Sequence, residues 1–296
     1  MATGRTAVLA VRVGAVYPQI ELGGSPDAVR RLGTVVEEMG YDHLLAYDHV
    51  LGAVHADRQP ELSGPYTEQD PFHDPLMMFS YLAGLTQRLE FFTGILILPQ
   101  RPTALVARQV ADLELFSGGR FRLGVGVGWN YVEYEALGQD FATRGAREEE
   151  QIELLRRLWS EPVVDFTGRF DRVDRAGIPP RPATPVPIWL GGWGQAAFAR
   201  AARVGDGFVF GGPVDRVVEH WNRVRDMVAD AGRPVEGFGG EAVVFTTKGP
   251  AAVAERMAAW EQAGGTHASV NTMGHGFTDV EQHVEYLAAV AEALGR

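Results

Sequence analysis

The sequence predicts an α/β fold, a single (β/α)8 barrel, and three observations predict it. Eight short apolar runs alternate with segments whose apolar residues recur at helical spacing. The 296 residues match one barrel of ordinary size, and no linker-like stretch or internal repeat divides them. Glycines and aromatic residues collect where the predicted strands end, the face on which such barrels carry their chemistry. An open doubly wound sheet would use the same units. Right-handed crossovers leave few topologies for eight of them, and the closed barrel accounts for all.

Residues 7–16 form the first strand, a continuous apolar run. Ser25 offers an N-cap oxygen and Pro26 a preset φ, so a helix starts there, runs to Glu38 and stops at Gly40. Residues 42–47 are the second strand, ending in Asp48-His49. Residues 50–73 are polar, contain proline and glycine and lack a period. A stretch of this length and composition is expected to be a lid or binding loop. Asp74-Pro75 caps a helix to Thr86, and residues 89–98 are the third strand. Pro99 and Pro102 end that strand and open a helix to Phe116. The fourth strand, residues 121–127, contains Gly124 and Gly126 and leads into Gly128, Trp129 and Asn130. Apolar throughout, it is expected to be parallel and buried on both faces. Residues 144–160 place Ile152, Leu155 and Trp159 on one helical stripe. Residues 161–185 are a proline-rich excursion after the fourth strand, with a hairpin around VVDFTGRF. Strands at 187–190, 207–210, 241–246 and 266–271 then alternate with helices at 195–204, 214–231, 250–263 and 280–294.

Composition narrows the function. A formal charge of −11 argues against binding a phosphate backbone, which calls for a basic patch. No apolar run approaches the length of a membrane span, and the N-terminal residues lack a signal-peptide pattern, so a cytoplasmic protein is expected. Cysteine is absent, which excludes disulfides, thiolate metal sites and a cysteine nucleophile. Lys248 is the only lysine, so a P-loop lysine or a Schiff base elsewhere is excluded.

The strand ends hold the candidate chemistry. His49 follows the second strand and could donate or accept a proton near neutral pH, with Asp48 orienting it. His43 falls on the opposite face and is expected to pack, while His55 and His73 are expected to be solvated in the lid. Gly124, Gly126 and Gly128 strip the fourth strand of side chains, so a flat group can lie against its backbone, with Trp129 and Asn130 alongside. Gly191 and Gly192 precede a helix, where free N–H groups can receive phosphate. Trp129, Tyr131, Tyr66 and Phe72 could form an aromatic pocket. Metal-ligand spacing, a GxSxG elbow and a strand-end carboxylate pair are missing, so no metal site is expected and hydrolase readings are weak.

Motifs across most of the chain carry a resemblance. They are AYDHV (residues 46–50), TGILILPQR (93–101), LFSGGRFRLGVGVGWNYVEYEALG (115–138), LLRRLW (154–159), VDFTGRF (164–170), PIWLGG (187–192) and ARVGDGF (202–208). Together they resemble the luciferase-like monooxygenase superfamily, most closely its actinobacterial branch that uses coenzyme F-420. The resemblance implies a barrel with the cofactor ring at the C-terminal face, backed by a β-bulge and a non-prolyl cis peptide at Thr93, Gly94 and Ile95. It implies that His49 lies near the redox centre with Asp48, that Gly126, Gly128, Trp129 and Asn130 cradle the ring, and that Gly191 and Gly192 hold its phosphate. The family's sugar-phosphate dehydrogenase carries a glutamate at the end of the fourth strand, where this chain has Trp129, with Glu133 further along. A more apolar small-molecule substrate is therefore expected. The resulting expectation is a homodimeric oxidoreductase moving a hydride between coenzyme F-420 and an organic substrate. The alternatives are an FMN-dependent monooxygenase and a non-catalytic flavin-binding member.

Overall fold

In the computed structural model, which describes residues 11–296, the apolar runs pair side by side and close on themselves. Residues 7–10 of the expected first strand lie outside the described residues. The strands are β1 (Arg12–Val16), β2 (His43–Ala46), β3 (Glu90–Thr93), β4 (Leu96–Ile97), β5 (Phe121–Gly126), β6 (Val164–Thr167), β7 (Arg172–Ala176), β8 (Ile188–Gly191), β9 (Gly207–Gly211), β10 (Gly239–Val244) and β11 (His267–Val270). Around the barrel the order is β1, β2, β3, β5, β8, β9, β10, β11 and back to β1, and every pairing is parallel. This is a TIM barrel, the fold expected from the alternation. β6 and β7 form the expected hairpin outside it.

The helices are α1 (Pro26–Glu38), α2 (Pro75–Ala83), α3 (Thr103–Ser117), α4 (Tyr131–Ala136), α5 (Arg144–Ser160), α6 (Gln195–Val204), α7 (Val214–Asp230), α8 (Pro250–Gln262) and α9 (Val280–Ala293). The two caps expected from sequence form. Ser25 Oγ accepts from the Ala28 N–H, and Asp74 Oδ1 accepts from Leu76 and Met77. α4 has no counterpart in the sequence reading. It is short and opens on Asn130, whose side chain caps it through the Val132 N–H at 3.1 Å.

The third strand breaks where the resemblance implies a bulge and a non-prolyl cis peptide. It is two pieces, β3 and β4, separated at Gly94–Ile95, and that peptide bond is cis. β3 pairs with β5 at Phe91 and Phe92, and β4 resumes the pairing at Leu96 and Ile97. Across the gap the Thr93 hydroxyl donates to the Gly124 carbonyl at 2.7 Å and accepts from the Gly124 N–H at 2.8 Å. A side chain thus replaces the missing ladder bonds.

Two apolar regions fill the molecule. The larger lies between strands and helices, and a second, inside the barrel, consists of Val16, Leu45, Phe92, Trp189, Val209, Val243 and Met273. Nearer the N-terminal ends of the strands the interior is polar. Glu241 accepts from Arg122 at 2.9 Å and His43 at 2.8 Å, and the Arg122 guanidinium is sandwiched between Phe92 and Trp189. Burial opposes the charge on Glu241, but His43 and Arg122 hold its carboxyl far below the usual range. His43, expected merely to pack, is part of this ion cluster. Among the described residues no helix is long and apolar enough to cross a membrane.

Candidate functional site

Past Ala46 the chain leaves β2 and turns over the C-terminal mouth of the barrel, and the sequence-predicted pair Asp48 and His49 separates there. Asp48 is buried, and its carboxylate faces β4. Oδ2 accepts from the Ile97 N–H at 2.9 Å, and Oδ1 accepts from Arg101 at 2.8 Å. Arg101 also reaches Asp74, the cap of α2, at 3.0 Å. Burial pushes the Asp48 carboxyl up, and the adjacent Arg101 guanidinium opposes that rise. The expectation that Asp48 orients His49 is therefore corrected. Asp48 fastens the strand that follows the bulge.

His49 is oriented by Glu133, which the sequence reading did not assign to the site. Glu133 is fully buried in the first turn of α4, and its Oε1 lies 2.9 Å from His49 Nδ1. The same oxygen accepts the N–H groups of Val50 and Leu51, each at 3.1 Å. Three rings surround the imidazole edge-on, namely Tyr66 at 5.3 Å, Phe72 at 4.9 Å and Trp129 at 5.5 Å between centroids. The His49 side chain is only 8% exposed. Burial pushes the Tyr66 phenol up to about 12, so it is a neutral donor at physiological pH.

Residues 50–73 carry no regular element and fold over Trp129. Gly64 permits this approach, since a Cβ there would lie 2.3 Å from the Trp129 ring. Asn130 Nδ2 donates to Leu51 O at 3.2 Å, and the Tyr131 hydroxyl donates to Pro60 O at 2.6 Å. Tyr131 thus ties down the segment instead of lining the pocket, where Tyr66, Phe72 and Trp129 meet. His55 and His73 are not solvated as expected. His55 bonds to Tyr66 O and packs edge-on against Trp129, and the His73 ring lies 6.3 Å from Tyr17 with its Nε2 buried.

The glycines have a different use from the one expected of bare backbone. A Cβ at Gly126 would meet the Ile95 side chain at 2.7 Å, one at Gly191 would meet it at 2.6 Å, and one at Gly128 would meet Ile97 at 2.9 Å. Ile95, projecting from the cis peptide, covers Gly126 and Gly191. Thr93 is buried and committed to Gly124, and Gly94 is pressed on Leu45 and bonded to Ala46 O at 2.8 Å. The surface offered at the mouth is therefore Ile95. Gly192 and Gly194 differ. They are exposed, both have positive φ, and Gly194 precedes α6 without any side-chain cap. The first N–H groups of α6 are left for an outside acceptor.

Comparison with known proteins places this architecture. Residues 7–294 match the family model described as luciferase-like monooxygenase. The chain belongs to that family. An F-420-dependent glucose-6-phosphate dehydrogenase of Nakamurella multipartita is 33% identical over 189 residues, covering 62% of this chain and 52% of that protein. An FMNH2-dependent dimethylsulfone monooxygenase of Pseudomonas putida is 29% identical over 216 residues, covering 71% of this chain and 56% of that protein. The crystal structure of the monooxygenase RslO1 of Streptomyces bottropensis superposes with a TM-score of 0.80 at 19% identity. That superposition covers 96% of this chain and 98% of that one. Members of the family are oxidoreductases and monooxygenases, and the relatives just named divide between F-420 and FMN.

Proposed function

We propose that this family member is an oxidoreductase that moves a hydride between bound coenzyme F-420 and a small, largely apolar organic substrate, with His49 handling the accompanying proton. The observation that carries the reading is the imidazole itself, fixed at Nδ1 and enclosed by Tyr66, Phe72 and Trp129 at the barrel mouth. An aromatic enclosure excludes water and suits an apolar substrate, while the polar edge of His49 supplies the proton.

The residues present fit a deazaflavin. Ile95 offers an apolar platform beside β5, and the uncapped start of α6 after Gly194 offers N–H groups to a phosphate. When bound, the deazaflavin would supply hydride donor and acceptor chemistry without oxygen. The chain's own contribution is to place that group, to keep water out with residues 50–73, and to move one proton at His49. In the oxidising direction His49 takes a hydroxyl proton as the substrate carbon gives up its hydride. In the reducing direction the imidazolium returns the proton. The F-420 dependence of the Nakamurella relative supports F-420, while the FMNH2 dependence of the Pseudomonas relative keeps FMN as the second reading.

The reading extends to a cytoplasmic homodimer. Met77 and Tyr81 on α2 and Leu105 and Phe116 on α3 are 66%, 46%, 52% and 69% exposed, an apolar surface on two adjacent helices. Sedimentation at micromolar concentration should give twice the chain mass, and a single-chain mass would remove this part.

Fluorescence titration of purified protein with F-420 and with FMN under identical conditions tests the cofactor. The expected result is micromolar or tighter binding of F-420 with little FMN affinity. Preference for FMN, with oxygen consumed on turnover, would establish the monooxygenase reading instead.

A further inference from the structure

We propose that Glu133 is the positioning residue of this site: it fixes the tautomer of His49 and locks the ring to the root of the 50–73 segment. The inference rests on the proton-transfer reading of His49 given above.

Hydrogen-bond polarity carries the first step. Glu133 Oε1 receives the Val50 and Leu51 N–H groups, and a backbone N–H can only donate. That oxygen is therefore an acceptor, and the hydrogen shared with His49 sits on Nδ1. The neutral ring then presents a bare Nε2, able to take a proton, and the charged ring presents Nε2–H, able to return it. Without such a partner the proton would distribute over both nitrogens, and part of the protein would be in the wrong form for either direction.

Burial carries the second. Glu133 is fully buried, and its Oε2 has no hydrogen-bond partner among the described residues. A carboxyl so enclosed has no solvent competing with its 2.9 Å hydrogen bond to Nδ1. The groups facing His49 from other elements do not replace it. Tyr66 is a neutral phenol, Asp48 is bonded to Arg101, and His55 lies on Trp129. During turnover the proton moves between the substrate oxygen and Nε2 while the hydride moves to or from the carbon. Glu133 keeps its hold on Nδ1 throughout.

Position carries the third. The carboxylate that binds the ring also binds Val50 and Leu51, and Asn130, the cap of α4, donates to Leu51 O. Ring and segment root are held by a single turn of α4, so a shift in one is felt by the other.

The test is NMR of the cofactor-free protein, with His49→Gln used to assign the His49 ring signals. In the unsubstituted protein the nitrogen shifts should show Nδ1 protonated and Nε2 bare at high pH. Predominance of the Nε2–H form would overturn the proposal. Glu133→Ala removes the acceptor, whereas Glu133→Gln keeps an oxygen for the Nδ1–H and for the Val50 and Leu51 N–H groups. The Nε2–H form should gain a substantial share in Glu133→Ala and stay minor in Glu133→Gln. A folded E133A whose His49 still holds only the Nδ1–H form would equally overturn it. Because both NMR readouts omit the cofactor, they stand or fall separately from the choice between F-420 and FMN.

Discussion

Asp48 and His49 are neighbours in the chain yet serve different parts of the molecule. Asp48 neutralises Arg101 and holds the Ile97 N–H, whereas His49 turns away to Glu133. Asp48→Ala therefore leaves the largely buried Arg101 guanidinium with one carboxylate fewer and should destabilise the protein by about 3–5 kcal/mol in urea unfolding. His49→Gln should leave stability near that of the unsubstituted protein and lower turnover roughly 10²–10⁴-fold with cofactor affinity retained. Equal stability losses in the two variants would contradict this division of labour. The place of His49 at the barrel mouth was legible in the sequence because it directly follows a predicted strand. Its partner was not, because Glu133 lies 84 positions away and only the fold brings α4 against the end of β2.

On the scale of elements, the break between β3 and β4 organises the mouth. Gly124 is what makes it possible, since a Cβ there would stand 1.9 Å from the Thr93 carbonyl oxygen, and backbone cannot yield as a side-chain tip can. Gly124→Ala is expected to cost at least about 1–3 kcal/mol, read as a lower thermal midpoint, and to displace Thr93 and Ile95. A midpoint unchanged from the unsubstituted protein would show that the break tolerates a side chain. Helix starts at Ser25 and Asp74 were readable because a cap is a local signal within four residues. The glycine run of β5 was readable as close approach, but the approaching group was not. Sequence spacing suggested an outside ring, whereas Ile95 of the same chain fills the space over Gly126. α4 escaped notice because a six-residue helix is too short to show a period.

Over the whole molecule, the alternation of runs sufficed for the closed barrel, since each strand is buried on both faces and must find two parallel neighbours. The ion cluster of Arg122, Glu241 and His43 inside it was invisible to that reasoning, because each residue alone looked like an isolated exception in an apolar run. The barrel divides its interior, with ions toward the strand starts and apolar side chains beneath the mouth. Under the proposed function, redox chemistry belongs at the mouth, between Ile95 and His49. A crystal structure of the protein with F-420 bound tests that most directly. The deazaflavin ring should lie on Ile95 with its phosphate at the N–H groups that follow Gly194, and His49 Nε2 should face the space left for substrate. A ring bound away from Ile95, or a His49 released from Glu133 and turned from the ring, would contradict it.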